Sequence, residues 1–263
     1  MSSTLLEDPA VSAYERMAPF YDLFTENYDY ERWLSKLEAL ALEHGLSGRR
    51  LFDVGCGTGK SFAPMLARGY DVVGCDISPS MVERARARFG DLAEVFVADM
   101  RELPEVGEFD LITCLDDALN YVLTDDELES AFTGMAANLG PGGLLLFDLN
   151  TVTTYRGMFA HDFVSESDGV FLCWHGEADE DAQPGGVHTA VLEVFENDGG
   201  ECWRRHSCRH VQRHHPLETV EAALSAAGLE LVLVHGQVTG AQIDAFADES
   251  FHRKVIHLAR KPH

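Results

Sequence analysis

Two periodicities divide the chain. From residue 50 to residue 148, short apolar runs alternate with segments of helical period. The runs 50–54, 71–75, 94–98, 109–114 and 143–148 are bounded by turn residues and are too short for helices, so they predict buried strands. Between them, 59–68, 79–89 and 125–138 place apolar residues at helical spacing. Ser78 before Pro79 predicts one helix start, and Thr124 with Glu127 predicts a capping box at another. Such alternation implies an α/β fold with a doubly wound, mostly parallel sheet. After Asp148 the period shortens. Val170 to His175, Val187 to Phe195 and Cys202 to Arg213 predict antiparallel strands, turning near Asp179 to Asp181 and at Asn197 to Gly200. A helix returns over 216–227 and stops at Gly228. Runs 229–235 and 255–260 then finish a seven-stranded sheet as an antiparallel pair, joined by 236–252. Ahead of all this, residues 1–8 read as frayed. Helices are expected from Pro9 and from Tyr28 to about His44. The expected organisation is a helical cap (1–48), a core (49–148 and 216–263) and an inserted β lobe (149–215).

The first strand breaks at once into glycines, Leu51-Phe-Asp-Val-Gly-Cys-Gly-Thr-Gly59. Glycines let a backbone pass close to a ligand, and a following helix start offers free amides. The next strand ends in Asp76, about 20 residues on, where a carboxylate suits a ribose diol. A dinucleotide or S-adenosylmethionine (SAM) would fit such a pair. The dinucleotide fingerprint wants a third small residue at a position held here by Lys60. Asp53 beside the turn would repel a pyrophosphate yet support an amino-acid ammonium. A glycine turn without a ligand is the competing reading.

Asp53-Val-Gly-Cys-Gly-Thr-Gly59 with Asp76-Ile-Ser-Pro-Ser-Met81 resembles the class I SAM-dependent methyltransferases. Val97-Ala-Asp-Met100, Phe109 to Cys114 and Leu139 to Phe147 are similar to that family's later motifs. The likeness is good over 14–150 and weak beyond. It implies that Gly55, Cys56 and Gly57 wrap the methionine part of SAM, and that Asp76 takes the ribose. Asp99 and Met100 would hold the adenine, flanked by Ile77 and Met81, with Leu115 also on the cofactor side. The N-terminal segment resembles the cap of small-molecule methyltransferases, which makes Tyr14, Tyr21, Tyr30 and Trp33 cofactor candidates. Rings at helical spacing also pack cores, which is the alternative for each. The β lobe resembles that of sugar N-methyltransferases.

Composition narrows the partners. The formal net charge of −24 disfavours nucleic acid and anionic membranes. The N-terminus lacks a signal-peptide pattern, no apolar stretch reaches spanning length, and the six cysteines form no C-x-x-C, so a cytoplasmic protein with reduced thiols is expected. The lobe can serve as a lid or as the surface of a homodimer. It has no Lys or Arg between Gly157 and Trp203, then a basic run from Arg204 to His215. Cross-strand pairing accounts for this asymmetry, and an acidic pocket for an amine is the sharper reading.

Methyl transfer is an in-line displacement in which positioning can supply most of the catalysis. The segment after the fourth strand, Leu115-Asp-Asp-Ala-Leu-Asn-Tyr121, carries the best candidates. Asp116 or Asp117 would orient or deprotonate the acceptor, and Asn120 with Tyr121 would hold it. Capping uses of Asp116 and Asn120 compete with this. His206, Cys208 and His210 share one strand face, a weak zinc pattern without a fourth ligand, so no metal is expected. His210, His214 or His215 could act as general base. The reading that follows is SAM-dependent methylation of a small molecule, with an amine of an amino sugar or other natural product preferred. O-methylation, RNA methylation and a SAM-binding scaffold are the alternatives, and a nicotinamide oxidoreductase is a weaker one.

Overall fold

The computed structural model describes residues 8–167, 169–197 and 199–263. The segment 1–7, read from sequence as frayed, and Asp198 of the Asn197–Gly200 turn lie outside them. Three helices come first: α1 (Pro9–Met17), α2 (Tyr21–Phe24) and α3 (Tyr30–Glu43). The alternating region follows as β1 (Arg50–Val54), α4 (Ala63–Ala67), β2 (Asp71–Asp76), α5 (Pro79–Phe89), β3 (Ala93–Val97), β4 (Phe109–Cys114), α6 (Asp125–Ala137) and β5 (Leu139–Asn150). After α7 (Val152–Arg156) come β6 (Phe163–Ser167), β7 (Val170–Gly176), β8 (Val187–Asn197) and β9 (Trp203–Arg213). The chain closes with α8 (Leu217–Ala226), β10 (Glu230–Gln237), β11 (Ile243–Asp244) and β12 (Lys254–Arg260).

The central sheet runs β11-β10-β12-β5-β4-β1-β2-β3. Strands β1 to β5 pair in parallel, while β12, β10 and β11 join antiparallel. The sheet has eight strands rather than the expected seven. The extra one, β11, makes two pairings with β10 inside the stretch read as a connection, and two residues are too few to leave a periodic signal. Strand alternation sends Leu51, Leu111, Leu144 and Leu146 to one face, against Leu34 and Leu37 of α3 and Val82 and Ala85 of α5. Phe52, Ile112, Leu145 and Phe147 go to the other, against Leu128 and Phe132 of α6 and Val220 and Leu224 of α8. Helix α6 starts on the expected capping box: Thr124 Oγ1 accepts from Glu127 N at 3.2 Å, and Glu127 Oε2 accepts from Thr124 N at 3.2 Å. Among the described residues, no helix is long and apolar enough to cross a membrane.

Helix α4 departs from expectation. The helical pattern suggests a start at residue 59, but turns continue to Phe62. Gly57 and Gly59 have φ of 52° and 82°, outside the right-handed helix, and Pro64 marks the first turn, where its missing N–H costs nothing. The glycine loop therefore does not feed directly into a helix N-terminus.

Trp33 of α3 donates from Nε1 to Gln237 Oε1 at 3.0 Å in a buried setting. Trp33→Phe would keep most of the apolar contact but strand that oxygen. A loss of about 1–2 kcal/mol is expected, seen as a lower urea midpoint with an unchanged slope.

The four lobe strands form one antiparallel sheet in sequence order. Its inner face packs Leu172, Trp174, Leu192, Val194 and Cys208 with Met17 of α1 and Phe20 beyond it. On the outer face, Arg205 pairs with Glu193 at 2.6 Å and Arg209 with Glu177 at 2.8 Å. The acidic and basic runs are thus partners across the sheet, which is the cross-strand alternative rather than an acidic pocket.

Candidate functional site

Where the order of strands reverses, between β1 and β4, their carboxyl ends open into a cleft of about 820 Å³, counting its mouth. The glycine turn forms its floor. Gly55 and Cys56 donate to Cys75 O at 2.8 and 2.9 Å, which fastens the turn to the end of β2. Gly55 and Gly57 line the cleft with φ of 76° and 52°. A Cβ on Gly55 would stand 3.0 Å from that of Ala118, so these glycines keep open a cradle that side chains would fill. Gly59, by contrast, faces the rings of Phe62 and Phe89.

Asp76 closes β2 and lines the cleft. Its Oδ2 accepts from Gly57 N at 2.8 Å and its Oδ1 from Ser78 N at 2.9 Å. Burial raises its pKa to about 6 although both amides favour the charged form. Ile77 lines the same end, whereas Met81 is fully buried and stays out of the lining. Asp99 and Met100 line the far wall. Asp99 caps a short 3-10 turn through Arg101 N at 2.9 Å and carries the Arg101 guanidinium on both oxygens, at 2.6 to 3.1 Å. Arg101 also reaches Asp8, the N-cap of α1, at 2.6 Å.

Asp53 does not face the cleft, contrary to its expected part in holding an ammonium. It is buried beneath the turn, where its oxygens accept from Ser61 Oγ and Thr113 Oγ1, each at 2.5 Å. Burial raises its pKa to about 6. Trp33 also stays out, held by Gln237. Tyr14, Tyr21 and Tyr30 do line the cleft and form its roof. Polar contacts fasten this roof to the core. Glu15 accepts from Ser80 N and Ser80 Oγ, each at 2.8 Å, at the start of α5. Asp22 accepts from Thr58 Oγ1 at 2.7 Å and pairs with Arg88. Lys60, which replaces a third small residue in the motif, donates to Thr25 O and Thr25 Oγ1 at 2.8 Å.

The segment after β4 supplies the other end. Leu115, Asp116, Ala118, Tyr121 and Val122 line it. Asp116 and Asp117 both have left-handed backbones, with φ of 57° and 53°. Each non-glycine residue there costs roughly 1–3 kcal/mol and persists only where its surroundings enforce it. Asp148, fully buried at the end of β5, accepts from both amides, at 2.7 and 3.0 Å. Lys254 of β12 lies 2.7 Å from Asp117 Oδ1, 2.9 Å from Asp148 Oδ2 and 3.6 Å from Asp116 Oδ1. Burial opposes its charge, but the three carboxylates prevail and hold its pKa well above the usual lysine value. Burial pushes the Asp116 carboxyl up, opposed by Lys254 and by the Tyr30 hydroxyl that donates to Oδ2.

Asn120, His210 and His214 also stand outside the cleft lining. Asn120 is buried, with Oδ1 accepting from Asn150 N at 2.9 Å and Nδ2 donating to Arg213 O at 2.8 Å. It pins β5 to β9. His210 lies behind Tyr121, with Nδ1 2.8 Å from the Tyr121 hydroxyl, and burial lowers its pKa to about 4. His214 bonds Glu249 at 2.7 Å and Gly185 N at 3.0 Å, with its ring occupied on both sides. Cys208 is part of the lobe's packed face and His206 faces Glu196, so the strand trio serves packing and pairing. Among the described residues, no group of three or more His, Cys, Asp or Glu is arranged to hold a metal ion.

Sequence reasoning missed Lys254, Asp148 and Arg101. Asp148 ends a predicted strand on the ligand side, which was a usable signal. Lys254 heads a predicted apolar strand and is one of four lysines in a strongly acidic chain. Its neighbours come from strands remote in sequence, so no local pattern marks the cluster.

The donor and acceptor set suits SAM: acidic acceptors at Asp76 and Asp99, apolar walls from Ile77 and Met100, and a glycine cradle between them. Comparison with known proteins agrees. Residues 51–143 match the family described as methyltransferase domain. The Bacillus subtilis (strain 168) protein YqeM is 27% identical over 90% of this chain and 95% of its own. The dTDP-3-amino-3,4,6-trideoxy-alpha-D-glucopyranose N,N-dimethyltransferase of Streptomyces venezuelae is 28% identical over 85% of this chain and 94% of its own. The crystal structure of an S-adenosylmethionine-dependent methyltransferase from Clostridium acetobutylicum ATCC 824 superposes with a TM-score of 0.78 at 24% identity, covering 95% of this chain and 99% of that one. Residues 51–143 therefore form a methyltransferase domain, and the chain has the fold of an S-adenosylmethionine-dependent methyltransferase.

Proposed function

We propose that this methyltransferase transfers the methyl group of SAM to an amine of a small molecule, with Asp116 as the group that binds and orients the acceptor. The observation that carries the reading is the Asp116 carboxylate, facing the cleft among Tyr21, Tyr30 and Tyr121 at the end opposite Asp76 and Asp99. A carboxylate framed by tyrosine rings suits an ammonium, both by charge and by the ring faces. The relative from Streptomyces venezuelae, named for N,N-dimethylation of an amino sugar, supports the same class. The net charge of −24 supports a small acceptor rather than nucleic acid.

When bound, SAM supplies an electrophilic methyl carbon on a sulfonium. The protein's part is positioning and proton handling. Gly55, Cys56 and Gly57 wrap the methionine portion, and Leu115 closes that side. Asp76 accepts from the ribose hydroxyls, while Asp99 and Met100, with Ile77, hold the adenine. Tyr14, Tyr21 and Tyr30 cover the cofactor and exclude water. Asp116 receives the amine as its ammonium, aligns the nitrogen and accepts the proton that nitrogen must lose. Asp53, Met81 and Trp33 support this set from behind. Asn120 fixes the backbone on which Tyr121 sits.

A second reading has its own observation. His210 is neutral, so its Nδ1 can accept from Tyr121, and this pair could relay a proton from a hydroxyl acceptor.

The test is release of S-adenosylhomocysteine (SAH) from SAM with matched panels of amines and alcohols. Amino sugars and simple primary amines are expected to react and their hydroxyl analogues not to. Reaction of the alcohols alone would reverse the reading. Asp116→Asn is expected to lower kcat/KM for the amine by about 30-fold, one charge-assisted hydrogen bond at roughly 2 kcal/mol, while calorimetry finds SAH bound as before.

A further inference from the structure

The left-handed turn at Asp116 and Asp117 contains no glycine, so the local chain does not favour it. Two devices hold it. Asp148 accepts both amides, and Lys254 bridges the side chains of Asp117 and Asp148. Gln212 adds a third tie, donating to Asp117 Oδ2 at 2.6 Å. The distances from Lys254 are unequal. Its ammonium is close to Asp117 and Asp148, at 2.7 and 2.9 Å, but 3.6 Å from Asp116. The ammonium therefore engages most closely the two carboxylates behind the turn, while the one in front stays on the cleft side, where its Oδ2 accepts from the Tyr30 hydroxyl. Trp33 completes the arrangement from below, its ring centroid 5.8 Å from the ammonium. Without the cation, three carboxylates would share one largely buried space, and the turn that presents Asp116 would lose its clamp.

We propose that Lys254 is a positioning residue for methyl transfer: by bridging Asp117 and Asp148 it holds the left-handed turn and keeps the Asp116 carboxylate aimed at the acceptor. This rests on the reading of Asp116 as the amine-binding group. Lys254 is not among the residues that line the cleft and acts through the turn.

The test separates positioning from charge balance. Three carboxylates and one ammonium carry a formal charge of −3 + 1 = −2. The double variant Lys254→Met/Asp117→Asn keeps two carboxylates and hence the same −2, so it is the informative protein even where Lys254→Met alone fails to fold. Wild type, Asp116→Asn and the double variant are compared by thermal melting, by calorimetric titration with SAH, and by NMR titration of each SAH complex with ethylammonium chloride. The expected result is SAH affinity within threefold in all three, near-native melting of the double variant, and ethylammonium affinity at least tenfold weaker in both variants than in wild type. Wild-type ethylammonium affinity in the double variant would overturn the proposal and leave Lys254 a charge-balancing residue. Loss of SAH affinity in a folded double variant would overturn it too, by assigning the cluster to the cofactor. Failure of wild type itself to bind ethylammonium would overturn the reading of Asp116, and the proposal with it.

Discussion

Asp76→Asn is expected to weaken SAH binding by about a hundred- to a thousandfold. The carboxylate at the end of β2 already accepts from Gly57 N and Ser78 N, and it still has lone pairs to offer the cleft. An amide of the same shape must present NH₂ where one oxygen stood, so it loses an acceptor and faces a backbone donor with another donor. Two charge-assisted hydrogen bonds to a ribose diol, at roughly 1.5–3 kcal/mol each before relaxation, give a net loss of about 3–4 kcal/mol. The same residue sets a pH dependence. Burial raises its pKa to about 6, and the ligand prefers the ionised form. Binding is therefore complete above that pH and weakens as the pH falls through it, by up to about tenfold per unit. Calorimetric titrations from pH 5 to pH 8 are expected to show this slope in wild type and none in Asp76→Asn. A flat wild-type profile would mean that Asp76 serves only the turn.

Gly59→Ala is expected to destabilise the protein by about 3 kcal/mol while leaving the folded fraction able to bind SAH. The backbone there has φ of 82°, and an added Cβ would fall 2.4 Å from Phe89 Cε2 and 2.7 Å from Phe62 Cζ. The conformation alone costs roughly 1–2 kcal/mol for a residue with a side chain. Moving two packed rings adds roughly 1–3 kcal/mol. The melting temperature should fall by about 6–12 °C for a chain of this size. Gly57→Ala, which puts its methyl into the cleft, should show the reverse: a smaller melting shift and a clear loss of SAH affinity. If both substitutions weakened binding equally, Gly59 would belong to the cradle after all.

That pair shows what the sequence could and could not convey. The motif Gly55, Gly57, Gly59 reads as one object, because all three glycines sit on one strand–turn–helix signal. The structure divides it, with two facing the cleft and one facing Phe62 and Phe89, and the division depends on packing with α5. The strands β1 to β5 were legible from short apolar runs, and α6 from its capping box. Helix α4 was misjudged at its start because apolar spacing does not report backbone φ. Among the site candidates, Asp76, Asp99 and Asp116 were legible as acids at strand ends. Asp53 was a strand-end acid too, yet Ser61 and Thr113 draw it under the turn, and Thr113 belongs to a strand 60 residues away. Trp33 reads like the neighbouring Tyr30, but a single bond to Gln237 of β10 turns it from the cleft. Lys254 and Asp148 meet only because β12 runs antiparallel beside β5, a pairing that no local pattern encodes.

The segment from Asp8 to Thr25, which holds α1 and α2, has two seams of different character. Towards the lobe, Met17 and Phe20 sit in a packed apolar interior. Towards the core, the fastenings near the cleft are ion pairs and hydrogen bonds of Asp8, Glu15, Asp22 and Thr25, which water can replace group for group. Separating the first seam would expose hydrocarbon, and separating the second would mostly exchange partners. Helices α1 and α2 are therefore held more firmly to the lobe than to the core, with the softer joint running along the polar seam above the cleft, while α3 stays packed on the sheet. Raised ionic strength is therefore expected to loosen the polar seam while leaving the apolar one intact.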